Sequence, residues 1–135
     1  MNKLVRTVSM VFAAGVLGGL ANSLVVWFFG ARGVTAALGV RIAPHLSAAW
    51  LYPRLVWGGI WGGLFLIPLL RNSIFWRGFL WSLCPSVVQL LVVFPSKAAN
   101  GMLGFHLGTL TPAFVVFFNL VWGIVAAAWL KMGRG

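Results

Sequence analysis

Arg54 is a cation set inside an apolar run, between Trp50-Leu51-Tyr52-Pro53 and Leu55-Val56-Trp57-Gly58. A guanidinium at membrane-span depth costs about 2.5–3.5 kcal/mol on insertion scales, so it usually has a partner or a task. Asn22, Gln89 and Asn119 share its apolar setting. Turned toward one another, the four would form a pocket for an anion or a neutral polar solute, with Arg54 its only charge. The competing structural reading has Arg54 snorkelling to lipid headgroups or binding backbone carbonyls. On that reading the amides only join helices, at about 0.6 kcal/mol for each hydrogen bond.

A second polar group, Arg41, His45, Lys97 and His106, falls in two long connections and forms a candidate outer-loop cluster. Its histidines titrate near neutrality and allow pH sensing. Two histidines without Cys or carboxylate make a poor zinc site, which wants at least three protein ligands, so no metal is expected. Cys84 precedes Pro85 in an apolar stretch and reads as a small buried hydrophobe. No set of nucleophile, base and orienting group is present, and no cofactor motif, so the reading is non-enzymatic.

The strongest exclusion comes from charge. The chain has ten Lys and Arg and no Asp or Glu among its 135 residues. No carboxylate can act as general acid or base, hard-metal ligand, proton relay or cation-selective ring. Each basic group must find its counter-charge elsewhere: anionic headgroups of membrane lipids, an anionic solute, a helix C-terminus or another subunit. The cations are scattered singly between apolar runs, which argues against nucleic acid as partner.

Positioning these residues falls to helices in lipid. The chain is 61% apolar with eight Trp, a composition of integral membrane proteins. Spans are expected at residues 7–29, 48–70, 73–94 and 110–131, each near the 20 residues a crossing needs. The start resembles a signal peptide, with Lys3 and Arg6 ahead of an apolar run. That run continues through Phe29, too long for a leader, and it is read as a retained span. Arg71-Asn72-Ser73 makes a tight turn, while residues 30–47 and 95–109 are apolar enough to lie at the interface or dip into the bundle. Ser47 and Thr111 are expected to cap helices, with Pro112 at the first helical position. Pro53 and Pro85 should kink their spans.

The chain also matches itself. Leu55-Val56-Trp57-Gly58 recurs as Leu120-Val121-Trp122-Gly123 at an offset of 65, which pairs Arg54 with Asn119, Phe29 with Phe94 and Arg32 with Lys97. The expected fold is all-α: a four-transmembrane-helix bundle of two parallel helix–loop–helix repeats, residues 1–72 and 73–135. Gly58 with Gly62 and Gly59 with Gly63 are small-xxx-small pairs for close helix approach, and Gly15 and Gly19 offer a facing strip. The same glycines would also suit a homo-oligomer face.

Six basic residues (Lys3, Arg6, Arg71, Arg77, Lys131, Arg134) against four (Arg32, Arg41, Arg54, Lys97) favour both termini in the cytoplasm. The general make-up resembles that of small bacterial multispanning proteins, which implies the inner membrane. The sequence reads first as a non-enzymatic accessory or structural subunit packing with itself or with an acidic membrane partner; the alternative is a small oligomeric transporter or channel for anions or neutral polar solutes using the Arg54 pocket.

Overall fold

The computed structural model describes residues 2–67, 69, 73–93 and 102–134. These residues form helices and no strand. The helices are α1 (Lys3–Ala31), α2 (Val34–Ala37), α3 (Ala48–Trp61), α4 (Ile74–Val88) and α5 (Thr111–Arg134). A 3-10 segment, Gly62–Leu66, extends α3, a π segment, Gln89–Val93, extends α4, and a second 3-10 segment, Met102–Leu107, kinked at Leu103 (φ 56°) and Gly104 (φ 74°), precedes α5.

Three helices are long and apolar enough to cross a membrane: Lys3–Ala31, Ile74–Val93 and Thr111–Gly133. The stretch expected as a single span over residues 48–70 instead breaks into the 14-residue α3 and its 3-10 extension. Glycine is about 1 kcal/mol poorer than Ala in a helix, and the change of winding falls at the pair Gly62-Gly63.

Side chains start the helices as their sequences suggest. Ser47 accepts a hydrogen bond from the Trp50 amide at 3.2 Å, and Ser73 one from the Trp76 amide at 3.1 Å. Thr111 departs from expectation. It is already helical, because the Leu110 carbonyl takes the Phe114 amide, and Pro112 is therefore the second helical residue. The Thr111 hydroxyl is buried without a hydrogen-bond partner among the described residues. Gly33, at φ 76°, supplies the left-handed residue that separates α1 from α2.

Helix α1 lies between α3 and α5, α4 lies on α5, and α3 and α4 barely touch. Sequential neighbours run antiparallel. Val11 clusters with Leu130 and Phe65 at one end of α1, whereas Val26 clusters with Phe114, Phe118 and Val40 at the other. The connection after α2 joins the second 3-10 segment at that far end, where the Arg41 amide donates to the Leu107 carbonyl at 2.8 Å.

Glycines set the helix spacing. A Cβ on Gly15 would collide with the Gly58 carbonyl and stand 2.9 Å from the Cα atoms of Gly59 and Gly62. On Gly19 it would stand 3.0 Å from the Arg54 carbonyl and 3.5 Å from the Gly58 Cα. Gly59 faces the Phe12 ring and the Val16 side chain of α1. Gly78 on α4 and Gly123 on α5 meet backbone to backbone in the same manner. Gly63 differs from its expected role: a Cβ there would meet nothing within 4 Å, because the 3-10 winding has turned it off the contact strip.

This contrast gives a stability test in mixed detergent–SDS unfolding. Gly15→Ala should destabilise by about 1–3 kcal/mol, since its obstacles are backbone atoms that cannot rotate away. Gly63→Ala should change stability by no more than about 0.5 kcal/mol.

Candidate functional site

Seven residues separate the Ser47 cap from Arg54, a depth of about 10 Å at 1.5 Å per residue. At that level α3 lies against Gly19, and the Arg54 side chain runs along α1. Its Nε donates to the Ser23 hydroxyl at 2.9 Å, and Nη2 donates to Asn22 Oδ1 at 2.6 Å. The guanidinium carbon lies 4.6 Å from the Trp50 ring centroid, within range of a cation–π contact. Nη1 makes no hydrogen bond to a described residue and is not enclosed.

Asn22 is buried and carries the contact onward. A guanidinium only donates, so the amide oxygen faces Arg54, and Nδ2 donates to the Phe118 carbonyl of α5 at 2.6 Å. One residue further along α5, Asn119 Nδ2 donates to the Ser86 hydroxyl of α4 at 3.0 Å and to Gln89 Oε1 at 3.4 Å. Ser86 in turn donates to the Ser82 carbonyl at 2.8 Å. A polar layer therefore crosses α3, α1, α5 and α4 between the two apolar clusters.

Below this layer, Trp122 is buried and its indole N–H is shared between the carbonyls of Gly15 at 3.2 Å and Gly58 at 3.3 Å. That donor joins α5 to both helices of the first pair.

Arg54, Asn22, Gln89 and Asn119 all line one cavity of about 870 Å³. Its size is within the 300–1,000 Å³ usual for small-molecule sites. Trp50, Trp57, Trp61 and Trp122 form much of its apolar wall, and Pro53 and Pro85 lie on opposite sides. Neither proline can donate to the carbonyl four residues back, that of Ala49 for Pro53 and that of Trp81 for Pro85.

The chain matches no protein-family model, no curated protein and no solved structure.

The outer-loop group does not assemble among the described residues. Arg41 lines the cavity from the connection after α2, while His45, on the same connection, is exposed and does not. Lys97 lies outside the described residues, as does the side chain of His106.

Other residues were not singled out from sequence as part of a site. Ser23 and Ser86 complete the polar contacts, and their only signal was a hydroxyl within an apolar run. Arg77 was assigned to a membrane surface by charge counting. It is 4% exposed, donates from Nη2 to the Phe65 carbonyl at 2.8 Å and stacks on the Phe65 ring at 5.0 Å.

The Asn22–Arg54 contact is a charge-assisted hydrogen bond shielded by Trp50. A double-mutant cycle of Asn22→Ala with Arg54→Ala, read by SDS unfolding, should give a coupling of about 1–2 kcal/mol. The corresponding cycle of Gln89→Ala with Asn119→Ala, a longer neutral contact, should give no more than about 0.6 kcal/mol.

Proposed function

We propose that the protein is a non-enzymatic membrane carrier that takes an anionic or polar ligand into the Arg54 cavity. The observation that carries this reading is the convergence of Arg54, Asn22, Gln89 and Asn119 on one open cavity, with guanidinium donors still available. The glycines support it as well. Gly15, Gly19, Gly58, Gly59 and Gly62 are occupied within the chain, which leaves less of that surface for an accessory role.

In this reading α3 and its 3-10 extension form the fourth crossing, and the bundle consists of two parallel repeats. The support is local. Gly58 and Gly123 are equivalent positions 65 apart, and each meets a glycine of the preceding long helix. Their partners Gly15 and Gly78 are 63 apart, as are Ser23 and Ser86, which accept from Arg54 and Asn119. The first helices of the repeats are thus better aligned at 63 than at 65. The equivalence of Phe29 with Phe94 falls outside the described residues. Charge bias favours both termini in the cytoplasm of a bacterial cell, which would put the cavity in the outer half of the inner membrane.

One observation favours the accessory reading. With no acid in the chain, the charge facing Arg54 must come from another molecule, and a partner subunit's carboxylate would serve. Native mass spectrometry of the protein released from its own membrane separates the two. The carrier reading expects an anionic adduct on the bare chain or its homo-oligomer, lost in Arg54→Gln, and uptake of that anion by liposomes holding the chain alone. A stoichiometric acidic subunit with no adduct would replace it with the accessory reading.

A further inference from the structure

The cavity has a second feature that a site for a small soluble ion does not require. Its polar contacts lie on α1, α5 and the inner sides of α3 and α4, but apolar residues of α3 and α4 also wall it, and these two helices barely touch, which leaves a gap between them. The α3 side of this gap carries Trp57, 60% exposed, beside half-buried Trp61. The α4 side carries Pro85, Val88 and Val93, the last 37% exposed. A passage lined mainly by tryptophan, proline and valine offers water and free ions few polar groups, whereas hydrocarbon loses little on entering it.

The charged end is equally one-sided. Arg54 lines the cavity together with Arg41, and the chain contains no Asp or Glu. Arg54 is held in place by Ser23, Asn22 and the Trp50 ring, while its Nη1 remains available. A guanidinium with donors to spare suits the oxygens of a phosphate or carboxylate group.

We propose that the ligand is an anionic amphiphile, a lipid-like molecule with one phosphate or carboxylate headgroup. It enters sideways between α3 and α4, its headgroup on Arg54 and its chain against Trp57, Trp61 and Val88. This assignment rests on the carrier reading above and narrows it. The polar layer is the stopping point: Asn22, Gln89 and Asn119 offer hydrogen bonds to a headgroup and none to a hydrocarbon chain.

The test uses the full chain in phosphatidylcholine nanodiscs, with its own tryptophans as reporters. Phosphatidic acid with brominated acyl chains is added in one series and brominated phosphatidylcholine in another. Quenching by phosphatidic acid should saturate at a mole fraction about tenfold lower than that of phosphatidylcholine, and 50 mM inorganic phosphate should leave it unchanged. Arg54→Gln should abolish the preference. Trp57→Leu changes an exposed residue with no hydrogen bond to lose, so it tests the passage if Arg54→Gln fails to fold. It should weaken the preference several-fold with unchanged thermal unfolding. Arg54-dependent stabilisation by inorganic phosphate, with no lipid preference, would overturn the amphiphile and leave an anion carrier. Response to neither phosphate nor phosphatidic acid would overturn both.

Discussion

Close approach of helix backbones at glycine is the constraint on which the rest of this structure depends. Between helices in lipid there is no water to expel, so apolar side chains gain little by meeting one another rather than lipid tails. Contact must come from fit. Gly15 against Gly58, and Gly78 against Gly123, let backbones touch where any side chain would hold them apart. The same approach brings Arg54 within reach of Asn22 and Ser23, and Trp122 within reach of two glycine carbonyls. The polar layer is thus a product of the glycine seams. Widening the α1–α3 crossing by one methyl group would disturb hydrogen bonds made by side chains a turn or two away.

A chain without acids must also solve the burial of cations without ion pairs. Arg54 and Arg77 use the same chemistry, an aromatic face together with neutral oxygens. For Arg77 the oxygen is the Phe65 carbonyl, and the side chain is sealed in. Arg54 keeps part of its guanidinium uncovered, beside a cavity. Neutral acceptors orient a guanidinium but leave its full positive charge in place, whereas a carboxylate would cancel it. That difference separates a held cation from a neutralised one, and only the former attracts a further anion.

Much of this was legible in the sequence, for identifiable reasons. Three long apolar runs gave three helices of span length, because a backbone in lipid must bond within itself. Arg54, Asn22, Gln89 and Asn119 line one cavity, since polar groups in apolar helices turn toward one another. Other features depend on contacts that periodicity does not carry. The α3 stretch changes winding at Gly62, so Gly63 leaves the strip that its spacing assigned to it. Charge counting placed Arg77 at a surface because the count cannot register the ring and carbonyl that bury it. Thr111 shared the composition of a cap but not its position, because the Leu110 carbonyl already begins the helix.

The order of the helices has a mechanical consequence. Each outer helix meets an inner one at glycine, α3 on α1 and α4 on α5. The inner pair is fastened in the same way, since Gly18 of α1 meets the backbone of Trp122 on α5 and the Asn22 and Trp122 hydrogen bonds cross the same contact. A methyl group added at Gly18 would therefore part the two helix pairs, and with them the two halves of the polar layer.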